Sequence, residues 1–66
     1  MSSSPEKHIQ LDQFLKYQNI AQSGGEAKHI IQSGAVKVNG VLETRRGRKL
    51  YLGDVVEIDG EKMTVK

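Results

Sequence analysis

The chain has 66 residues, no cysteine and a formal net charge of only +2. This length allows one small domain, and the absence of thiols excludes disulfides, cysteine-ligated zinc sites and cysteine nucleophiles. No apolar run approaches the roughly 20 residues of a membrane span, and the N-terminus lacks the apolar segment of a signal peptide. We therefore expect a cytoplasmic protein with a flexible tail over residues 1–8 and one domain over residues 9–66.

The first predicted element is a short helix of about two turns. Leu11, Phe14 and Leu15 recur at the spacing i, i+3 and i+4, which places them on one helical face. Asp12 lies in the first turn, where the helix dipole favours an anion, and it precedes Lys16 by the spacing of a weak ion pair. The apolar face is predicted to pack on the core.

A second predicted helix has a clear beginning and end. Ser23 and Glu26 form the S-x-x-E pattern of a capping box, in which each side chain accepts a hydrogen bond from the other residue's backbone N–H. Ala27, Ile30 and Ile31 follow on one face. Gly34 stands where a left-handed residue is needed to end a helix. The pattern predicts a helix that begins after Ser23 and ends before Gly34.

After this helix the sequence changes to the period of two that is typical of β-strands. Val36 and Val38 alternate with Lys37. They are followed by Asn39-Gly40, a strong signal for a two-residue hairpin turn. A turn of this kind would place Val38 opposite Val41.

The C-terminal part is predicted to complete a small antiparallel sheet. The segment Glu43 to Lys49 has no apolar residue and is predicted to be a loop or an irregular edge. Beyond it, the turn signals Gly53-Asp54 and Asp59-Gly60 enclose a strand that contains Val55, Val56 and Ile58. A last short strand follows. The order helix, helix, sheet indicates an α+β protein.

Positive charge is concentrated in the middle of the chain. Residues 28–49 hold six lysines and arginines against one glutamate, a net charge of +5, whereas residues 1–27 carry −1 and residues 50–66 carry −2. Four of these cations form a basic cluster within five residues, namely Arg45, Arg46, Arg48 and Lys49. Cations so close together repel one another and need an anionic partner or full solvation. The distribution indicates a local anion-binding face.

Taken together, these patterns resemble the S4 RNA-binding domain, also called the alpha-L motif, over roughly residues 9–58. The match comprises Leu11-Asp12, Phe14-Leu15, Ser23, Glu26-Ala27-Lys28, Ile30-Ile31, Gly34, Val36, Val38-Asn39-Gly40 and Gly53-Asp54. The basic cluster and Ser23-Gly24-Gly25 make the chain most similar to the small bacterial proteins of the YbcJ type, which consist of an S4-like domain alone.

The resemblance implies an α+β fold in which two short N-terminal helices pack on a small twisted antiparallel sheet. It also implies a non-enzymatic protein that binds RNA along the second helix and the adjoining loop. The candidate RNA-binding residues are Ser23, Gly24, Gly25, Lys28, Gln32, Lys37, Arg45, Arg46, Arg48 and Lys49.

Each part of this candidate site also has a purely structural interpretation. The basic cluster is equally compatible with a solvated loop, and in an extended strand Arg46 and Arg48 would face away from Arg45 and Lys49. The segment Ser23 to Gly25 is a candidate phosphate site at a helix N-terminus, but the start of a capped helix is the safer interpretation because Glu26 competes for that end, and the two can coexist. Because the basic cluster belongs to no apolar face, reversal of its charges is expected to leave the fold intact.

One position departs from the family's pattern. Many S4 domains have an arginine directly after the serine that opens the second helix, and here that position is Gly24. A contact typical of the family is therefore missing from the helix. Arg45, Arg46 and Arg48 in the loop are candidates for supplying the lost charge.

Catalysis and metal binding are not expected. The two histidines, His8 and His29, lack the neighbouring ligands of a metal site and the nucleophile and supporting acid of a catalytic site. So small a domain also has little room for a substrate pocket. We expect no cofactor, no metal and no small-molecule substrate.

The expected partner is structured RNA, for example rRNA or tRNA, bound by a monomer. Binders of flexible single strands depend on aromatic platforms, whereas this chain has only Phe14, Tyr17 and Tyr51. The alternative is a protein-interaction adaptor that docks a partner through its acidic C-terminal sheet. The acidic residues of that sheet are Asp54, Glu57, Asp59 and Glu61.

Overall fold

The computed structural model describes residues 8–66, so residues 1–7 of the predicted tail lie outside the described part of the chain. In chain order the elements are β1 (His8–Gln10), α1 (Leu11–Tyr17), α2 (Gly24–Gln32), β2 (Val36–Val38), β3 (Val41–Leu42), β4 (Lys49–Tyr51), β5 (Val55–Ile58) and β6 (Glu61–Thr64). Both helices precede an antiparallel sheet, which confirms the predicted α+β class.

A four-stranded antiparallel sheet has the strand order β3-β2-β5-β6. The first hairpin turns at Asn39-Gly40, whose φ angles of 53° and 84° are the left-handed values that a type I′ turn requires at both central residues. Val38 lies opposite Val41, as predicted. The hairpin of β5 and β6 turns at Asp59-Gly60, where φ is again positive at both residues.

A separate two-stranded ribbon pairs β1 with β4, and the sequence analysis did not predict β1. Ile9 lies opposite Leu50 in this ribbon, and Leu50 is completely buried. Three residues are too few to show a period of two, so the strand exists because of its partner some 40 residues later in the chain. The ribbon brings the end of the loop before β4 against the start of α1.

The hydrophobic core joins the two helices to the inner face of the sheet. Its buried members are Leu11, Phe14, Leu15, Ala21, Ala27, Ile31, Val36, Val38, Leu50, Val56, Ile58 and Val65. The faces predicted from the helical and strand periods are therefore the buried ones. Full burial of a large aliphatic side chain stabilises a fold by about 1.5–3 kcal/mol, so these residues hold the helices on the sheet.

Helix α2 begins and ends where the sequence predicts. The Oγ of Ser23 accepts a hydrogen bond from the Glu26 N–H at 3.1 Å, and Gly34 has the left-handed φ of 87° that follows a helix end. One detail of the predicted capping box is wrong. The Glu26 carboxylate accepts from the N–H of Gln22 at 2.8 Å, one residue before Ser23. Ser23 is extended, and the chain before it bends so that the Gln22 N–H faces the helix.

Neither of the helices in residues 8–66 has the length and the apolar character that would let it cross a bilayer.

Candidate nucleic-acid interface

The basic loop, residues 45–49, runs from the four-stranded sheet to β4 and turns at Arg46 and Gly47. The N–H of Arg48 donates to the carbonyl of Arg45 at 3.2 Å across this turn. Two further hydrogen bonds tie the loop to α1: Leu11 N–H donates to the Arg48 carbonyl at 2.8 Å, and Asp12 N–H donates to the Arg46 carbonyl at 3.1 Å. The first N–H groups of a helix lack acceptors within the helix. Here two carbonyl groups of the basic loop accept hydrogen bonds from two of these N–H groups.

Glu43, just before the basic loop, is a buried carboxylate that holds two arginines. Only 5% of the residue is exposed. Its Oε2 accepts from Arg45 Nε at 2.9 Å, and its Oε1 accepts from Arg45 Nη2 at 3.1 Å and from Arg48 Nη1 at 2.8 Å. The backbone N–H of Arg45 also donates to Oε2, at 3.0 Å. One carboxylate therefore gathers two guanidinium groups.

The ionisation of Glu43 follows from these contacts. Hydrogen bonds from the Arg45 side chain are the main reason that the pKa of Glu43 falls from its ordinary 4.5 to about 2, although burial acts in the opposite direction. The same hydrogen bonds raise the pKa of Arg45. Glu43 is therefore a full negative charge at neutral pH.

Asp12 holds the third arginine. The Arg46 Nε donates to Asp12 Oδ2 at 3.2 Å, and Arg46 Nη2 lies at the same distance from that oxygen. The other oxygen, Oδ1, accepts from the Gln13 N–H at 2.8 Å. The sequence analysis paired Asp12 with Lys16 on its own helix. The ion pair in the structure is with Arg46, because the basic loop packs on the first turn of α1.

The arginines of the basic cluster do not divide between two faces as they would in an extended strand. Residues 46–47 make a turn, so the alternation of an extended strand does not apply. Arg45 and Arg48 converge on Glu43, while Arg46 turns to Asp12. The cluster therefore has internal anionic partners as well as solvent.

The three arginines keep a surface that an anion can reach. Side-chain exposure is 74% for Arg45, 47% for Arg46 and 31% for Arg48. A guanidinium has five N–H donors in a planar fork, so each keeps donors beyond those that its carboxylate takes. An open depression of about 500 Å³ lies at the loop and is lined by Arg45, Gly47, Arg48 and Lys49. Its lining suits a phosphate group.

The basic loop also reaches the start of α2. A Cβ placed on Gly24 would lie 3.5 Å from Arg46 Nη2, so this guanidinium stands beside the first residue of the helix. Lys28 and Gln32 follow Gly24 at intervals of four and therefore continue along the same side of α2. Both are exposed. The structure thus joins the N-terminus of α2 and the basic loop in one continuous surface.

The N-terminus of α2 has some donors to spare. Ser23 caps the N–H of Glu26. The first N–H groups of a helix have no acceptor within it, so those of Gly24 and Gly25, close to Arg46, are candidates for binding an anion. A phosphate site and the cap can therefore coexist at this end of the helix, as expected from the sequence, and the phosphate site stays a prediction.

Lys37 lies apart from this surface. Its neighbours Val36 and Val38 are buried in the core together with Ala27 and Ile31 of α2. Side chains alternate between the two faces of a strand, so Lys37 points to the opposite face of the sheet from α2.

The two buried carboxylates were not identified as site residues from the sequence. Glu43 was counted only as a lone negative charge, and Asp12 was assigned to the helix dipole. The available signal was the single acidic residue directly before the T-R-R-G-R run, since an isolated carboxylate within a cationic segment is a natural partner for its neighbours.

The histidines do not build a metal site. His8 packs its ring against Tyr51, with the ring centroids 5.8 Å apart, and His29 lies on the surface of α2. Within residues 8–66 no three histidine or carboxylate side chains gather closely enough to hold a metal ion.

A model of the S4 domain family matches residues 4–66. This chain belongs to the S4 domain family. The membership confirms the resemblance that the helical, hairpin and basic-cluster residues indicated.

Two curated relatives are similar over most of this S4 domain. The "Probable ribosome maturation protein RlbA" of Bacillus subtilis (strain 168) is 56% identical over 52 residues, which is 79% of this chain and 73% of the relative. The "Putative RNA-binding protein YbcJ" of Escherichia coli (strain K12) is 38% identical over 58 residues, which is 88% of this chain and 83% of the relative.

Among solved structures, the 30S ribosomal protein S4e from Thermoplasma acidophilum has a similar fold. The TM-score is 0.66 at 26% sequence identity over 96% of this chain. The chain spans about a third, 32%, of that ribosomal protein. The similarity confirms the predicted S4-like architecture.

Proposed function

We propose that this S4 domain binds structured RNA, without catalysis, through the N-terminal end of α2 and the basic loop. The observation that carries the proposal is the position of Arg46 beside Gly24, where an added Cβ would lie 3.5 Å from Arg46 Nη2. It unites two cationic features that the sequence separates by some 20 residues, the helix N-terminus and the basic loop. The protein would act as a monomer in the cytoplasm.

The chemistry of the surface suits phosphates at fixed positions. Arg45, Arg46 and Arg48 have partly exposed guanidinium groups. Arg46 lies next to the N-terminus of α2, whose first N–H groups have no acceptor within the helix. Contacts of this kind fix the register and orientation of a nucleic acid without reading bases. A folded RNA already holds its phosphates in a defined array, whereas a flexible strand loses entropy when it adopts one.

Ribosomal RNA is the RNA class we favour, with tRNA as the alternative. One relative is named for ribosome maturation, another for RNA binding, and the structurally similar protein is a ribosomal protein. These names describe those proteins, and we extend them to this chain as part of the proposal.

The adaptor alternative receives less support from the geometry. Glu57 lies opposite Lys37 on one side and Lys62 on the other, so lysines flank it on the outer face of the sheet. Asp54 is engaged within the fold, since it accepts hydrogen bonds from the Tyr51 N–H at 2.9 Å and from Asn39 Nδ2 at 3.3 Å. The acidic residues of the C-terminal sheet are therefore interleaved with cations or used in turns.

A salt titration of RNA binding tests the proposal. If about four to six phosphates are neutralised, the affinity for a hairpin or junction RNA should fall with a log–log slope of about −3 to −5. An affinity that is independent of salt would contradict a phosphate-based interface. A salt-resistant complex with a protein would instead favour the adaptor alternative.

A further inference from the structure

Glu43 is a negative charge placed directly behind a surface proposed to bind a polyanion. It is buried, and it is bonded to both Arg45 and Arg48, which line the open depression of the basic loop. A carboxylate at this position would repel a nearby phosphate if charge alone mattered. Its contacts give it the opposite effect on binding.

We propose that Glu43 is a positioning residue for RNA: it holds Arg45 and Arg48 so that the depression they line forms a subsite for one phosphate group. The inference rests on the proposed RNA-binding function and names the phosphate subsite within it. Arg45 is held through Nε and Nη2, and Arg48 through Nη1. Two hydrogen bonds to the buried carboxylate orient the guanidinium plane of Arg45, and a third anchors one end of the Arg48 guanidinium.

The physical gain is preorganisation. A free arginine side chain has many rotamers, and ordering such a side chain upon binding weakens the affinity. Glu43 removes this cost because the two guanidinium groups are already ordered in the free protein. Arg45 remains 74% exposed although it is paired, so the phosphate meets a side chain that is both ordered and accessible. Its planar fork suits bidentate contact with a phosphate.

The effect of Glu43→Gln on RNA affinity has opposite signs under the two explanations. If the carboxylate acts only through its charge, its removal should tighten binding by about two- to fourfold. If it positions the arginines, binding should weaken by about tenfold, since two side chains must then be ordered by the RNA. The binding assay is made with a hairpin RNA at low salt and low temperature, with folding verified by circular dichroism.

Glu61→Gln is the matched control for the charge. Glu61 is exposed on β6, and no ion pair within residues 8–66 involves it. Its substitution removes the same unit of charge and should leave affinity unchanged or slightly tighter. Equal or tighter binding by Glu43→Gln would overturn the positioning role, even if the parent protein binds RNA with the expected salt dependence.

A second measurement needs no variant and no RNA. In ¹⁵N relaxation experiments on the free parent protein, the Nε–H groups of Arg45 and Arg48 should be as rigid as the backbone. On titration with inorganic phosphate, the signals of both side chains should shift with one common apparent Kd. Mobile signals, or shifts that do not share a Kd, would reject the subsite. Failure of the parent to bind RNA would reject the proposed function, and this titration would still decide whether the phosphate subsite exists.

Discussion

The guanidinium of Arg46 lies beside the first residue of helix α2, where a Cβ on Gly24 would stand 3.5 Å from Arg46 Nη2. The S4 pattern has an arginine at this helix position in many members, and this chain has glycine. The structure shows that a cation nevertheless stands there, supplied from the basic loop and held by Asp12. We therefore expect Arg46 to take the place of the arginine that the resemblance implies at position 24.

The first prediction concerns this relocated charge. Arg46→Ala should weaken RNA binding by roughly tenfold and reduce the magnitude of the salt slope by about one, as expected for the loss of one phosphate contact. The double variant Gly24→Arg, Arg46→Ala should recover part of the affinity, because a side chain at position 24 enters the space that Arg46 vacates. Affinities are measured by fluorescence anisotropy across a salt series.

The control for this rescue is Gly25→Arg combined with Arg46→Ala. A Cβ on Gly25 meets Ser23 Oγ at 3.9 Å and is not directed at Arg46. An arginine there adds the same charge at a different place. Equal recovery by both double variants would show that only net charge matters and that the position beside Gly24 has no special role.

The second prediction revises an expectation from the sequence. Charge reversal of Arg45, Arg46 and Arg48 to Glu should unfold the domain, because it leaves the buried Asp12 and Glu43 carboxylates facing like charges. Because the arginines are partly exposed, loss of partners costs about 1–3 kcal/mol for each buried carboxylate, and like-charge repulsion adds to this, against a total stability of roughly 3–10 kcal/mol for a chain of this size. Replacement of the three arginines by Lys should preserve the fold. Circular dichroism and urea unfolding compare the two triple variants, and a folded triple-Glu protein would contradict the role given to these ion pairs.

The third prediction is a loss of stability in acid through Glu43. Its pKa is lower in the folded protein, about 2, than its ordinary value of 4.5. The contribution of the ionised Glu43 carboxylate to the free energy of unfolding is therefore fully present above about pH 4.5 and is lost as the pH falls toward 2. Its size is up to about 3 kcal/mol. Urea unfolding of the parent and Glu43→Gln at several pH values should show a stability difference that shrinks on acidification, and a pH-independent difference would contradict the assignment.

The fourth prediction concerns the cap of α2. Ser23→Ala should destabilise the domain by about 1 kcal/mol, because the Glu26 N–H loses its acceptor. Ser33→Ala serves as the comparison. Ser33 Oγ donates to the Ile30 carbonyl at the other end of the helix, where we expect a smaller effect. Midpoints of denaturant unfolding decide the matter, and an unchanged midpoint for Ser23→Ala would show that the cap is not stabilising.

The fifth prediction is a preference for folded RNA. Phe14 is buried in the core, which leaves Tyr17 and Tyr51 as the exposed tyrosines, and stacking on so few rings cannot organise a long single strand. A hairpin or junction RNA should bind more tightly than a poly-pyrimidine strand of equal length at one salt concentration. Equal or tighter binding of the single strand would direct attention to Tyr17, Tyr51 and His29 as stacking residues.

Local signals in the sequence were sufficient for much of the fold. The cap at Ser23, the left-handed residue at Gly34 and the Asn39-Gly40 turn each act within a few residues, and all three are confirmed. The same is true of the apolar faces that became the core, because helical and strand periods are properties of consecutive residues.

Tertiary structure decided the features on which the candidate site depends. The pairing of β1 with β4, the ion pair of Asp12 with Arg46 across 34 residues and the position of Arg46 beside Gly24 join distant parts of the chain. No local period encodes such contacts. The sequence by itself determined where positive charge is concentrated and where the two helices and the two hairpin turns lie. Only the packing of the basic loop on α1 and α2 brought Arg46 to Asp12 and beside Gly24, because these contacts depend on distances through space.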